Sequence, residues 1–346
     1  MSASFRPNSQ VRTHGTLGSI FDRTPREAFA LPEGYITPMI RTQMNRRDWA
    51  ILGLLALIWG AGFFLIAVAV RHVPPFTYVF ARLTLAAAAM LAFLWWRGEP
   101  LGVPRKAWAA IILLALVNTA LPFTLFGWAQ TEIASGLASI LNATTPIWGV
   151  IVAHLFTVDE KISPRKAVGV LLGFAGVAMM IGPGLFTSFG SDGLGQLACV
   201  AAAFCYAMAS VWARRFKAIG VSPLSVTTGQ LLVGALMMLP VALIADRPWT
   251  LSWPPLQAIG AIVAVALVCT AFGYVLYFKL IESSGATNAL LVTLLVPPTA
   301  ILLGVMFLGE HIAPVDFGGL ALIAVGLAAI DGRLLKWRPR WLRPEA

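Results

Sequence analysis

One arginine lies deep inside an otherwise apolar run of residues. Arg82 is seven residues into the run Phe76–Trp96, which places it about 10 Å from the nearer end of a helix of that length. A guanidinium at such a depth in lipid is costly unless it faces a cavity or a partner. Two interpretations remain open. The guanidinium anchors a carboxylate or phosphate of a substrate, or it is structural and is held by helix-end carbonyls or reaches outward.

Uncharged polar and aromatic residues lie at similar depth in other apolar runs. Asn118 and Asn142, together with Thr144 and Thr145, predict a polar cavity. Hydrogen bonds between helices, worth under about 2 kcal/mol a pair, are the alternative. Aromatic residues far from the ends of the runs are also placed to line a cavity. The predicted substrate-binding residues are Trp59, Arg82, Asn118, Asn142, Tyr206 and Tyr274.

Three prolines occur at matching depth in two of the apolar runs. Pro146 lies in one run, and Pro297 and Pro298 lie in another. Each proline removes a backbone hydrogen bond and frees a carbonyl, which lipid cannot satisfy. The prolines therefore predict interrupted helices beside a cavity.

The carboxylates are placed differently, because all fifteen Asp and Glu residues lie in tails, loops or at the ends of apolar runs. Glu160 and Glu310 each precede a proline, Pro164 and Pro314, that is expected to begin a helix. We expect both glutamates to stabilise the N-termini of those helices. A carboxylate that exchanges a proton for a lipophilic cation within the membrane is not expected.

Catalytic and metal-binding motifs are absent from the sequence. The three cysteines lie in apolar runs without a CxxC pair, the four histidines are scattered, and there is no HExxH, GxSxG or GxxxxGK[ST]. We therefore predict no catalytic residue, no metal site, no cofactor and no enzymatic activity.

The composition identifies the environment of the chain. Apolar residues make up 58% of the 346 residues and charged residues 12%, with a mean hydropathy of +0.81, whereas soluble chains average about 45–50% and 25%. Most of the apolar runs reach the ~20 residues that a membrane-spanning helix needs. The sequence therefore predicts an all-α integral membrane protein with ten transmembrane helices: Ala50–Val70, Phe76–Trp96, Ala107–Trp128, Ala134–Phe156, Ala167–Ile181, Leu194–Ala213, Leu224–Ile244, Leu256–Phe278, Ala286–Leu308 and Phe317–Ile330.

The basic residues between these runs predict the orientation. If the N-terminus is cytoplasmic, the cytoplasmic segments carry 18 Lys and Arg, and the loops on the other side carry only Arg71 and Arg247. The positive-inside rule then places both termini in the cytoplasm. The net charge of +10 is explained by this topology, so no nucleic-acid partner is predicted. Residues 1–48 are expected to form a disordered cytoplasmic tail, and residues 332–346 a basic one.

The chain contains an internal repeat, with segments 49–182 and 194–331 as its two copies. Glu160, Pro164, Gly169 and Gly176 each match a residue of the same type 150 positions later. Each copy holds five predicted helices, an odd number, so the second copy is inverted relative to the first. Inverted repeats are typical of secondary transporters, in which the substrate binds at the repeat interface near the middle of the membrane.

These features together resemble the EamA family of the drug/metabolite transporter superfamily. The resemblance rests on Trp59-Gly60, an arginine in the second run, the midway prolines, the two glutamates and the paired Gly-x6-Gly motifs. It implies a ten-helix carrier of the bacterial inner membrane, commonly an exporter of amino acids or other small metabolites.

The leading hypothesis is a transporter that exports a small metabolite by alternating access, with a small-molecule substrate and the lipid bilayer as partners. The alternatives are a non-transporting sensor or structural membrane protein and, less favoured, a lipid-modifying enzyme, which would need clustered Asp, His or Lys at the membrane surface. Gly169, Gly173 and Gly176 form a small-residue face, which predicts close helix packing either within the chain or in a homodimer.

Overall fold

The computed structural model describes residues 44–157, 162–181, 191–284, 289 and 292–331. This part of the chain is helical and contains no strand. Its helical segments in chain order are α1 (Arg46–Val70), α2 (Pro75–Trp96), α3 (Arg105–Glu132), α4 (Ser135–Phe156), α5 (Pro164–Ile181), α6 (Ser191–Ile219), α7 (Pro223–Asp246), α8 (Leu256–Ser284), α9 (Val292–Leu308) and α10 (Pro314–Asp331). The all-α prediction is confirmed.

Seven of these segments are long and apolar enough to cross a membrane. They are α1, α2, α3, α4, most of α6, α7, and α8 as far as Ile281. Two shorter apolar helices, Leu295–Leu308 and Pro314–Ile330, lie within α9 and α10. Length and composition thus identify seven of the ten predicted spans.

Local sequence explains where several helices begin. Asn45 and Asp48 form a reciprocal capping box at the start of α1, in which the backbone N–H of Asp48 donates to Asn45 Oδ1 at 2.9 Å. Proline occupies the first position of α2 and of α7, where its missing N–H costs no helical hydrogen bond. Ser222 caps α7 by accepting a hydrogen bond from the backbone of Ser225 at 3.1 Å.

The two proline sites differ in their effect on the helix. α4 is broken at Ala143 and Thr144, and Pro146 lies in the first turn of its second half. The hydroxyl of Thr145 donates to the carbonyl of Asn142 at 2.7 Å, which is the carbonyl that a proline at 146 leaves free. The expectation that Pro297 and Pro298 interrupt their helix is wrong, because α9 is continuous across both of them. The prolines in α9 therefore do not create a second helix break.

The helices pack in pairs that join the first five segments to the last five. α1 packs against α8 and α9, and α6 packs against α3 and α4. In addition, α2 packs against α7, and α5 packs against α10. Matching each of the first five segments with the segment five places later converts the pair α1–α8 into α6–α3 and the pair α1–α9 into α6–α4. The pairs α2–α7 and α5–α10 are converted into themselves.

Glycines bring α5 and α10 close together. A Cβ added to Gly176 would lie 2.6 Å from the carbonyl oxygen of Gly319, and one added to Gly326 would lie 2.5 Å from that of Gly169. Both distances are shorter than real contacts allow, so these positions accept only glycine without a shift of the helices. The small-residue face of α5 therefore packs against α10 of the same chain.

Candidate functional site

Arg82 lies in a buried cluster formed by three helices. Its Nε donates to Thr270 Oγ1 on α8 at 3.0 Å, and its Nη1 donates to the hydroxyl of Tyr78, one turn earlier on α2, at 3.3 Å. The guanidinium carbon lies 3.5 Å from the centre of the Phe123 ring on α3, a cation–π contact. The residue is only 9% exposed.

The charge of Arg82 has no anionic partner in this cluster. Within the described ranges, no carboxylate lies within ion-pair distance of the guanidinium. The hydroxyls of Thr270 and Tyr78 and the face of Phe123 stabilise a cation but do not neutralise it. Since a buried charge is costly without a partner, the cluster is a place where an anionic group would bind favourably.

A second polar group lies where α3, α7 and α8 meet. The side-chain amide of Asn118 donates to Gln230 Oε1 at 3.0 Å and to the hydroxyl of Tyr274 at 3.4 Å. Gln230 is 2% exposed. Gln230 lies 148 residues after Arg82, at the position that the internal repeat of the sequence predicts to correspond to it.

Both groups depend on π-helical turns in the middle of a long helix. Asn118 lies in the π-helical segment Leu116–Ala120 of α3, and Thr270 lies in Val265–Phe272 of α8. Such turns shift the register of a helix and leave backbone groups free, and they are frequent at functional sites. Through these turns, α3 presents Asn118 to α7, and α8 presents Thr270 to α2.

Trp59 lies beside the Arg82 group, between α1 and α8. Its indole Nε1 donates to the carbonyl of Cys269, within the π-helical segment of α8, at 3.0 Å, and its ring lies 5.3 Å from that of Tyr277. A Cβ on Gly273 would lie 2.7 Å from this Nε1, so Gly273 makes room for the indole. Trp59 therefore joins α1 to α8 beside the cluster.

The remaining predicted residues are divided between two regions. Tyr206 and Tyr274 pack against the hydrophobic cluster that contains Tyr78 and Phe123, so they lie around the Arg82 group. Asn142 lies at the break of α4, where Thr145 is its hydrogen-bond partner in the described part of the chain. The structure thus brings together Arg82, Asn118, Tyr206 and Tyr274, but not Asn142.

Sequence reasoning missed Tyr78, Phe123 and Thr270. A signal for Thr270 was present, because ALVNTA at residues 115–120 and ALVCTA at residues 266–271 match at a spacing of 151. This match pairs Thr119 with Thr270 and marks both π-helical segments. No comparable pattern distinguishes Tyr78 or Phe123 from the other aromatic residues of the chain.

Two carboxylates hold helix N-termini at the end of the bundle where α1 and α3 finish. Glu310 was expected at the N-terminus of α10, but it lies at that of α4, where it accepts from the backbone N–H and the hydroxyl of Ser135, both at 2.9 Å. Asp246, at the end of α7, accepts from the backbone N–H of Thr77 at 2.6 Å and from its hydroxyl at 2.8 Å. Glu160 lies outside the described residues.

At the opposite end of the bundle, α1 and α8 are joined by a third carboxylate. Asp48 is 3% exposed, and the hydroxyl of Ser283 donates to its Oδ1 at 2.7 Å. In the ranges that the structure covers, no group of three or more His, Cys, Asp and Glu side chains is arranged to hold a metal ion. The chemistry of the site is therefore that of hydrogen bonding and one unneutralised cation.

Comparison with known proteins decides the family. The model of the EamA-like transporter family matches the chain twice, over residues 48–182 and 193–330. The chain belongs to this family. It is accordingly a multi-pass membrane protein of a transporter family.

Proteins that align with most of this chain agree with the assignment to the EamA-like family. It is 25% identical to the uncharacterized transporter YoaV of Bacillus subtilis, over 80% of the chain and 94% of YoaV. It is also 25% identical to the uncharacterized inner membrane transporter YedA of Escherichia coli, over 82% of the chain and 91% of YedA. A WAT1-related chloroplastic protein of Arabidopsis thaliana is 25% identical over 82% of the chain and 69% of its own length.

The fold also matches a solved structure. A crystal structure with 22% sequence identity superposes with a TM-score of 0.61, covering 85% of this chain and all of the other. The family match and the named relatives describe transporters rather than enzymes.

Proposed function

We propose that this chain is a secondary transporter that exports a small metabolite across the bacterial inner membrane by alternating access. The observation that carries the proposal is the central cluster, in which Arg82 of α2 bonds to Thr270 of α8 and Gln230 of α7 bonds to Asn118 of α3. Each bond joins one half of the chain to the other. A substrate held there contacts both halves, as alternating access between two rocking halves requires.

In this proposal, ten helices span the membrane as two inverted repeats, residues 49–182 and 194–331. The packing of the helices supports this arrangement, because α1 with α9 corresponds to α6 with α4, and α1 with α8 corresponds to α6 with α3. The same matching converts one glycine contact between α5 and α10 into the other, because Gly169 matches Gly319 and Gly176 matches Gly326. A two-fold axis that lies in the membrane plane exchanges the two halves of a chain in this way.

Both termini, with the tails 1–48 and 332–346, lie in the cytoplasm in this proposal. The distribution of charge supports this orientation. Arg71 and Arg247 lie at the end of the bundle where α1 and α7 finish, whereas Arg46, Arg97, Arg105 and Lys217 lie at the opposite helix ends. The end with few basic residues is therefore periplasmic.

The substrate carries an anionic group that binds Arg82. The guanidinium has a cation–π contact and two hydroxyl partners, which leaves donors for a carboxylate or phosphate. The aromatic rings of Tyr206 and Tyr274 nearby suit an apolar part of the same molecule. A small organic anion or zwitterion fits this combination of groups.

The test is counterflow into proteoliposomes that contain the purified full-length chain and an unlabelled candidate. A panel of labelled amino acids, organic acids and phosphate esters identifies the substrate as the compound that accumulates. Arg82→Gln is expected to abolish its accumulation. Arg97→Gln is the matched control, because that arginine is exposed and pairs with Glu99 outside the cluster. A panel without accumulation, tested at substrate concentrations up to the millimolar range, would reject transport and favour the sensor alternative.

A further inference from the structure

The π-helical turn of α8 takes the usual donor away from one backbone carbonyl. In a regular α-helix the N–H of Gly273 would bond to the carbonyl of Cys269, four residues earlier. Here that N–H bonds to the carbonyls of Val268 and Thr270 instead. An unpaired buried carbonyl is costly, and the hydrocarbon of a membrane holds no water to pair with it. A donor from another helix can take the place of the lost one.

Trp59 supplies such a donor from α1. Its Nε1 donates to the carbonyl oxygen of Cys269 at 3.0 Å, and Cys269 Sγ in turn donates to the carbonyl of Ile58 at 3.2 Å. The two bonds run in opposite directions between the same two helices. Two neighbouring residues of α1 therefore hold Cys269 by both its backbone and its side chain.

Two glycines set the position of the indole. A Cβ on Gly60 would lie 2.5 Å from the Cβ of Thr299 and 2.8 Å from the carbonyl oxygen of Val296, so α9 packs directly on α1 beside Trp59. A Cβ on Gly273 would lie 2.7 Å from the indole Nε1. A side chain at either glycine would shift the indole or the helix that carries it.

The turn that Trp59 contacts also carries the residue that orients Arg82. Thr270 follows Cys269 directly in the chain and is 1% exposed. Its hydroxyl accepts from Arg82 Nε at 3.0 Å and donates to the carbonyl of Val265 at 2.8 Å. Each residue of a regular α-helix turns by about 100°, so a change of register in the turn would move Thr270 away from the guanidinium. Trp59 is thus linked to Arg82 through two adjacent residues of α8.

We propose that Trp59 is a positioning residue for Arg82. By donating to the Cys269 carbonyl, its indole stabilises the π-helical turn that holds Thr270 against the guanidinium. The inference rests on the proposed function, in which Arg82 binds the anionic group of the substrate. The role belongs to the indole N–H, whereas direct contact with a substrate, which the sequence predicts for Trp59, would belong to the aromatic ring.

The first test is hydrogen exchange, followed by mass spectrometry, on the purified full-length chain in detergent. Trp59→Phe keeps an aromatic ring but removes the N–H, so the amides of residues 265–272 should exchange about tenfold faster. Trp212→Phe is the matched control, because Trp212 is buried on α6 and its Nε1 donates to the carbonyl of Ala110 on α3 at 2.9 Å. It loses the same kind of bond outside the cluster and should leave exchange at 265–272 unchanged, whatever its thermal midpoint.

The second test is a double-mutant cycle with Thr270→Val, which separates positioning from direct contact. The readout is the half-saturating concentration in counterflow of the labelled amino acid, organic acid or phosphate ester that accumulates. Trp59→Phe alone should raise this concentration about three- to tenfold with little change in the maximal rate. In a chain that already carries Thr270→Val, it should have no further effect.

The alternatives give other results in the same cycle. A direct contact between Trp59 and the substrate would give the same effect of Trp59→Phe in both backgrounds. A purely structural Trp59 would lower the amount of folded protein, and with it the maximal rate, but leave the half-saturating concentration unchanged. Either result would overturn the proposal, and so would exchange at residues 265–272 that Trp59→Phe leaves unaltered or raises no more than Trp212→Phe does.

The exchange measurement needs no substrate, so it separates this inference from the proposed function. If a compound accumulates in counterflow and the exchange is unaltered, the inference about Trp59 fails alone. If the exchange rises as expected and no compound accumulates, the transport function is rejected and the support that Trp59 gives to the turn stands.

Discussion

The Nε of Arg82 donates a hydrogen bond to Thr270 Oγ1 across the boundary between the two matched halves of the chain, at 3.0 Å. Thr270 itself donates to the carbonyl of Val265 at 2.8 Å, five residues earlier in the π-helical turn of α8. The orientation of the guanidinium therefore depends on a local irregularity in another helix. A regular α-helix at this point would place a different side chain against Arg82.

Replacing Thr270 by valine tests this dependence. The valine side chain has nearly the same shape but cannot accept from Arg82 Nε, so we expect a loss of about 1–3 kcal/mol in stability from the unpaired donor. Thermal unfolding in detergent measures the change. Thr131→Val is the control, because Thr131 is exposed and its hydroxyl bonds only near the end of α3. Equal midpoints for the two variants would contradict a structural contribution of the Arg82–Thr270 bond.

Arg82→Lys distinguishes a substrate-binding arginine from a structural one. Lysine keeps the charge but lacks the planar fork that binds Thr270, Tyr78 and a substrate anion at once. If Arg82 binds the substrate, the apparent affinity in counterflow should fall while the folded yield stays near that of the unmodified chain. If the folded yield falls and the affinity is unchanged, Arg82 has a structural role. If neither the yield nor the affinity changes, both the substrate-binding and the structural role are excluded.

The close approach of α5 and α10 gives a prediction about stability. Gly176→Ala places a Cβ 2.6 Å from the carbonyl oxygen of Gly319, so the helices must separate, and we expect a loss of about 1–3 kcal/mol. The matched control is Gly53→Ala on α1, where a Cβ meets nothing within 4 Å. Alanine has the higher helix propensity, by about 1 kcal/mol, so the control should be neutral or stabilising. Thermal midpoints that fall equally for both variants would contradict the packing.

The glycine contact also illustrates what the sequence could predict. The spacing of Gly169, Gly173 and Gly176 indicates a small-residue face on one helix, and this is a local property that the sequence contains directly. The identity of the opposing helix is not local. Packing within the chain and packing in a dimer leave the same pattern, and only the contacts with Gly319 and Gly326 decide between them.

Only some residues of the site were predictable from the sequence. Arg82 and Asn118 were identifiable because polar groups are conspicuous in apolar runs. Thr270 and Tyr78 were not, because a threonine inside a helix usually bonds its own backbone and a tyrosine near a helix start usually lies at the membrane surface. The role of Glu310 was misjudged for a similar reason: its nearest helix in sequence is α10, but the chain folds it against α4.

Removing the carboxylate of Glu310 should destabilise the start of α4. Glu310→Gln keeps the size of the side chain but loses the charge that faces the backbone N–H of Ser135 and the helix dipole. We expect a loss of about 0.5–2 kcal/mol, the usual range for a helix cap. Glu99→Gln, in an exposed ion pair with Arg97, is the control and should cost less than about 1 kcal/mol. A larger effect of the control on the unfolding midpoint would contradict the assignment.

The last prediction concerns the orientation of the two halves. Lys217 lies in the last turn of α6, at the end of the bundle where Asp48 bonds to Ser283, whereas His311 lies in the turn between α9 and α10, next to Glu310 at the opposite end. A reporter that is active only in the periplasm should therefore be inactive when fused after Lys217 and active when fused after His311. A reporter that is active only in the cytoplasm is the control and should give the reverse result at both positions, because each fusion point has a single location. If both fusion points report the same side of the membrane, the inverted arrangement is rejected, because that arrangement places Lys217 and His311 at opposite faces.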